Sequence, residues 1–237
     1  FNRALTQRNA LLKQLGERGG DLAQLDFWDN LLSSSGAQLI QARSRAVVEI
    51  ERLATQVHRQ LTNGKELLRL SYRPSYDPAP NPPGQFTLAL DVPVDRSGVT
   101  LEQIQNGYKE RLLRLRSEEV LRGVTTTGPH RDDLRFLSNR VDLGDFGSRG
   151  QVRTLLLALK LAEVSWMKSK THEWPVLLLD EVTAELDAQR RSDLLSRLAE
   201  AEQALLTTTD LEHFAPDFVR SATRWRIHEG YVNIEET

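Results

Sequence analysis

Two adjacent acids, Asp180 and Glu181, stand directly after four apolar residues, Val176 to Leu179, in the stretch PVLLLDEVTAELD. An apolar run of that length, stopped by charge, predicts a central strand covered on both faces. In open α/β sheets ligands collect at the carboxyl ends of such strands, which is where these acids fall. Asp180 could hold Mg²⁺, directly or through water, while Glu181 polarises an attacking water. The other reading is a strand ending in two solvated acids, so the surroundings have to decide.

Upstream, Phe146 to Arg153 reads FGSRGQVR and opens into LLLALKLAEVSWMKSK. Val152, Leu155, Leu156, Leu159, Ala162 and Trp166 follow the i, i+3, i+4, i+7 stripe of a core-facing helix. Ser148 and Gln151 have the S-x-x-Q spacing of a capping box, which places the helix start there. The free N–H groups of that turn, the helix dipole and the Ser148 hydroxyl together could receive a phosphate. Taken alone, a capping box is only a cap.

The combination carries more. Ser148-Arg149-Gly150-Gln151 opening a helix, then VLLLDE, then Ala184-Glu185-Leu186-Asp187, resembles the signature motif, Walker B strand and D-loop of the ABC-type ATPases. Within that superfamily the chain is similar to the RecF family of bacterial DNA replication and repair ATPases, relatives of the SMC proteins. TTTGPHRDDLRF at Thr125 to Phe136, SRGQ in place of SGGQ, DEVTAELD, and TTTD at Thr207 to Asp210 carry the likeness. These motifs cover about the last half of the chain; the first half resembles the family's helical arm more loosely. Thr209 stands where transporter ATPases have a switch histidine.

The resemblance implies Asp180 as the metal residue and Glu181 as general base, with Thr209 positioning the attacking water. It places Ser148, Arg149, Gly150 and Gln151 on nucleotide, with Ser148 and Gly150 at the γ-phosphate, and has Asp187 order a dimer seam. It further implies weak ATPase activity with ATP and Mg²⁺, and an ATP-driven homodimer binding double-stranded DNA and gap junctions. RecR and, indirectly, RecA would be partners in recombination and the SOS response, in the cytoplasm and away from membranes. Two other classes stay open. One is the nucleotide-binding subunit of an ABC transporter, against which Thr209 and the long arm both count. The other is a non-catalytic DNA-binding or scaffold module.

A P-loop needs G-x-x-x-x-G-K-[ST], because glycine N–H groups wrap the phosphates and lysine neutralises them. The one Gly-Lys pair is Gly64-Lys65, followed by Glu66, with Arg59 where the first glycine should be. These 237 residues hold no P-loop, so the chain alone is expected to be inactive. In the family that motif precedes the arm, and the expectation is that this chain resembles the part after it.

Length suits one large domain or two modest ones. No cysteine is present, which excludes disulfides and thiolate metal sites. The five histidines are scattered singly and the net charge is -2, so any DNA contact must come from a local basic face. Residues 1 to 64 read as helical, broken at Gly19-Gly20 and around Ser33 to Gly36. The last helix, of roughly 26 residues at 1.5 Å each, has an apolar stripe including Ile40, Val47, Ala54 and Leu61. Its other face carries Arg43, Arg45, Arg52, His58 and Arg59, mixed with Glu49 and Glu51, either simply solvated or in contact with DNA.

Glu66 to Tyr72 alternates like a half-buried strand, a proline-rich turn follows, and Gln85 to Val92 reads as a second strand. A capping box at Thr100 and Gln103 opens a helix to about Arg122, with Lys109, Arg111, Arg114 and Arg116 on a second candidate basic surface. DLRFLS and RVDLGDF read as a hairpin joined at Asn139. The resemblance places His130, Arg131 and Asp132 near nucleotide or DNA; an ion-paired turn is the other reading. Leu194, Leu195 and Leu198 anchor one more helix, Gln203 to Thr208 is a strand, and two strands flank Glu229-Gly230. Alternation of strand and helix predicts an α/β fold: a helical arm over 1–122, then an ABC-type ATPase lobe over 123–237 with a largely parallel sheet.

Overall fold

The helix-forming character of the first sixty residues is realised in the computed structural model as two long helices. The structure describes residues 1–79, 94–181, 186, 188–212 and 214–235, with backbone alone at Gln189 and Glu235. Helix α1, Asn2–Arg18, stops where Gly19 and Gly20 take φ values of 70° and 142°, which glycine adopts without a Cβ clash. A 3₁₀ turn, Leu22–Leu25, is capped by the Asp21 side chain and leads into α2, Asp26–Leu61.

The break expected around Ser33 to Gly36 does not occur. Helix α2 is continuous for 36 residues, about 54 Å at 1.5 Å per residue. The Ser33 and Ser35 hydroxyls donate back to the carbonyls of Asn30 and Leu31, at 3.1 and 2.8 Å. Gly36 lets the Tyr108 ring come close: a Cβ there would stand 2.6 Å from it. Packing thus overrides the poor helix propensity of this stretch.

Strand β1, Leu68–Arg73, follows, and then α3, Leu101–Arg122. The predicted Thr100–Gln103 capping box is formed, and Gly123 ends α3 in the left-handed conformation. Strand β2, Asp133–Ser138, pairs antiparallel with β1, placing Leu70 opposite Phe136, and with the two-residue β3, Val141–Asp142. Asn139 and Arg140 make the turn with φ of 48° and 72°. The rest of RVDLGDF is not strand. Asp142 caps a short helix α4, Leu143–Phe146, by accepting the Gly144 N–H at 2.9 Å.

Helix α5, Arg149–Thr171, buries Thr154, Leu155, Leu157, Ala158, Leu161 and Ala162. The expected stripe is therefore off in part: Leu156 is 55% exposed. Consecutive leucines give a helix no single apolar phase, so tertiary packing selects the buried face. One core gathers Leu32, Ala37 and Ile40 of α2 with Ala4, Ile104, Tyr108 and Leu112. A second gathers Ala54 of α2 with Leu68, Leu70, Leu143, Leu155 and Ala162.

Charges tie the helices together as well. Arg8, Asp29 and Glu119 are fully buried. Arg8 donates to Asp29 at 2.6 Å, and to Glu119 and Thr125 at 2.7 Å each. Arg116 reaches Asp29 from the other side at 2.8 Å, and Glu119 also accepts the Thr126 N–H at 2.6 Å.

The chain divides into two compact units, Phe1–Trp166 and Met167–Thr237. The boundary expected between 122 and 123 falls inside the first, where β1 pairs with β2 across it. In the second unit β4, Leu177–Asp180, and β5, Ala204–Thr207, pair in parallel through α6, Ala188–Leu198. A short α7, Pro216–Ser221, precedes the antiparallel hairpin of β6, Arg224–His228, and β7, Tyr231–Glu235. The fold is α/β, with parallel pairing in β4–β5 and antiparallel pairing in the other described strands. The apolar run predicts β4 covered on both faces, yet among the described residues one face stays open, with Leu178 75% exposed. The strand expected at Gln85 to Val92 lies outside the described residues.

Candidate functional site

The start of α5 is built as its sequence predicts. The Ser148 hydroxyl accepts the Gln151 N–H at 3.3 Å, and the Gln151 side chain accepts the Ser148 N–H at 3.1 Å. Ser148, Arg149 and Gly150 are exposed. A Cβ added to Gly150 would meet no atom within 4 Å, so the first turn is bare on that side. Donors, a positive dipole end and open approach fit an incoming phosphate. Gln151 also donates to Glu66 at 3.4 Å, and Glu66 accepts the Ser138 hydroxyl at 2.7 Å, which seats the turn on the β1–β2 sheet.

The acidic pair lies at the carboxyl end of β4. Register places Asp180 opposite Thr207, and the Thr207 hydroxyl donates to Asp180 Oδ1 at 2.6 Å. The same hydroxyl accepts the Glu181 N–H at 3.0 Å. Both acids are exposed, and Glu181 has a φ of 47°, uncommon for a residue with a side chain. The described residues hold no cluster of three or more metal-ligating side chains. Mg²⁺ suits such a sparse site, since it keeps several waters and takes one or two carboxylates plus substrate phosphates. Thr209, the expected water-positioning residue, is exposed just past β5 and does not share these bonds. Asp187 lies outside the described residues.

The seven expected DNA residues are not equivalent. Arg45 and Arg52 are exposed along α2, Arg111 is exposed on α3, and Arg131 is exposed in the loop ahead of β2. Arg52 and Arg59 line a groove of about 740 Å³ with Gln56, Gln60 and Asn63. Arg45, Arg52 and Arg59 repeat every seven residues, about 10.5 Å apart along one side of the helix. Arg114 is exposed and pairs with Glu110 at 3.3 Å.

Arg43 and His130 instead make internal contacts, His58 of the same helix face is buried, and Arg116 of α3 is turned to Asp26 and Asp29. Arg43 donates to the Pro129 carbonyl and to Asp132 Oδ2. Asp132 also accepts the Tyr72 hydroxyl and, at 2.9 Å, the Ser75 N–H. Burial, then the bond to Asp132, raise the Tyr72 pKa well above its ordinary range. His130 Nε2 lies 3.1 Å from the Thr125 carbonyl, and its ring packs near that of Phe1. Burial holds the His130 pKa below its ordinary value, although the Thr125 contact works the other way. Asp132 thus makes the ion-paired turn.

Sequence reasoning passed over three features. Thr207 was legible only as one of a run of threonines, and its bonding depends on strand register. Glu66 shows no sign of its contact with Gln151. Arg69, Arg73 and Arg135 share one side of the β1–β2 pair by register, a basic alternation visible in LRLSYR and DLRFLS. Arg69 and Arg135 are ion-paired, to Glu51 and Asp142.

No family model matches the chain. Among curated relatives, the DNA replication and repair protein RecF of Herpetosiphon aurantiacus is 39% identical over 235 residues, covering 98% of this chain and 55% of that one. RecF of Halothermothrix orenii is 40% identical over 234 residues, covering 98% and 58%. The chain thus spans little more than half the length of these relatives. A solved structure described as the recombination mediator protein RecF-ATPrS in the RecFOR pathway is 27% identical, with a TM-score of 0.80, over 98% of this chain and 56% of that one. A companion RecF-ATP structure matches at the same TM-score and identity over 99% of this chain.

Proposed function

Because this chain belongs to the RecF family over nearly its whole length, we propose that it forms the arm and the signature-bearing lobe of an ATP-dependent recombination mediator. The observation carrying this reading is the β4–β5 parallel pair, which ends in Asp180 and Glu181. In the proposal Asp180 holds Mg²⁺, Glu181 takes a proton from the attacking water, and the Ser148–Gln151 turn receives the γ-phosphate of ATP. Magnesium would supply charge neutralisation at the phosphates. Asp187 and Thr209 complete the nucleotide set, ordering a seam between two copies and positioning water. Hydrolysis is weak and belongs to the complete protein, since these 237 residues contain no P-loop.

DNA, double-stranded and at gap junctions, lies against Arg45, Arg52, Arg111, Arg114 and Arg131. Arg43 and His130 hold the neighbouring loop. RecR is the partner, with RecA loading downstream, in the cytoplasm. Among the described residues no helix is long and apolar enough to cross a membrane.

A shared ATP site tests the reading. Glu181→Gln and Ser148→Ala variants of the complete protein are each expected to be nearly inactive. In a mixed dimer one site combines both defects and the other has neither, so mixing should restore activity, with a maximum near an equal ratio. Sizing with ATP confirms that mixed dimers close. With closure confirmed, a flat activity line across ratios rules out the shared site.

A further inference from the structure

We propose that Thr207 is the positioning residue of the acidic pair, orienting the Asp180 carboxylate for its cation and fixing the backbone of Glu181. This rests on the assignment of Asp180 to Mg²⁺ and Glu181 to the base.

A threonine hydroxyl has one proton to give and lone pairs to accept with. At Thr207 the proton goes to Asp180 Oδ1 at 2.6 Å, and a lone pair takes the Glu181 N–H at 3.0 Å. Strand β4 ends at Asp180 and the chain turns away with Glu181 at a φ of 47°. The N–H that the ladder drops at that point is caught by a side chain of the neighbouring strand. One hydroxyl therefore closes the strand end and orients the carboxylate beside it.

The residue type suits the task. A β-branched side chain on a strand has few χ1 choices, so strand geometry fixes the hydroxyl direction. With Oδ1 held, rotation of the carboxylate is restrained and Oδ2 faces a defined direction. Groups that hydrogen-bond to a metal ligand commonly change metal affinity 10- to 100-fold when removed. The next two threonines do other things. Thr208 closes a local turn, accepting the Asp210 N–H at 3.1 Å and donating to the Asp210 carbonyl at 2.9 Å. Thr209 is exposed.

The test is Mn²⁺ titration by electron paramagnetic resonance, in the complete protein with a non-hydrolysable ATP analogue, which reads the cation directly. Thr207→Val keeps shape and strand propensity but loses the hydroxyl. It should raise the Mn²⁺ concentration for half-saturation about tenfold or more, while Thr207→Ser stays within about twofold of wild type. Should the valine variant fail to fold, Thr207→Ala also removes the hydroxyl and takes its place. Asp180→Asn separates the two levels. If it weakens Mn²⁺ binding and Thr207→Val does not, the positioning role is overturned and the metal assignment stands. If Asp180→Asn changes nothing, the metal assignment falls and the positioning role with it.

Discussion

Two clusters of charge in this chain are built on opposite plans. In the first unit Arg8, Asp29 and Glu119 are sealed from water, and each is held by at least two bonds of 2.9 Å or shorter. At the end of β4, Asp180 and Glu181 are exposed, and the Asp180 carboxylate accepts the Thr207 hydroxyl of the strand beside it. Removing one member of the buried set strands its partners without solvent. Removing an exposed acid leaves water to take its place. The difference separates charge that holds three helices and a loop together from charge left accessible to a ligand.

The largest expected effect bears on the exposed pair. In the complete protein Glu181→Gln should reduce ATP turnover by roughly 10²- to 10⁴-fold with nucleotide affinity nearly intact, read by phosphate release and equilibrium binding. Its unfolding free energy should change by less than about 0.5 kcal/mol. Turnover at the wild-type rate would remove Glu181 as the base.

The buried set should behave in the reverse sense. Arg8→Ala leaves Asp29 and Glu119 short of a partner, and should cost about 3–5 kcal/mol of stability, measured by denaturant unfolding. A loss below about 1 kcal/mol would mean that solvent reaches the cluster, and the contrast between the two sites would collapse.

A smaller effect separates arginines that are exposed from those in internal contacts. Neutralising Arg45, Arg52, Arg111 or Arg131 should each lower the log–log salt slope of DNA binding by about 0.9 if it contacts a phosphate. Arg43→Ala should instead loosen the Pro129–Asp132 loop, visible as faster amide exchange there. Equal salt-slope losses at Arg43 and Arg45 would erase the distinction.

The smallest effect is one of pH. Burial holds the folded His130 pKa below its unfolded value, so between those two values the unfolded chain binds the extra proton. Stability should therefore fall as pH drops below about 6.5, and His130→Gln should flatten that part of the profile. Urea midpoints from about pH 7.5 to about 5.5 read it, and identical profiles would exclude His130 as the source.

What the sequence reveals follows from how local each interaction is. Both capping boxes, the turns at Asn139-Arg140 and Glu229-Gly230, and the parallel β4–β5 pair are legible because their determinants lie within a few residues or in an apolar run. The Arg8–Glu119 pair joins positions 111 apart, and Thr207 meets Asp180 across 27, so neither leaves a local pattern. Ser33 to Gly36 reads as a helix break on propensity alone. There Gly36 admits the Tyr108 ring and the Ser33 and Ser35 hydroxyls bond back to helix carbonyls, a packing that exists only after folding. Leu155 to Leu157 fails for another cause: three leucines in a row fit more than one helical phase.

The unbroken α2 has a mechanical consequence. Its first half supplies Leu32, Ala37 and Ile40 to one core, and its second half supplies Ala54 to the other. The two cores are thus fastened to a single rod of about 54 Å, with no hinge at the serine-glycine stretch to absorb a bend. A tilt of about 5° applied at one end displaces the other by roughly 5 Å over that length, more than close-packed side chains tolerate. The two cores must move in concert or one of them must repack, which makes the rod a lever between the core around Tyr108 and the sheet on which the Ser148 turn is seated.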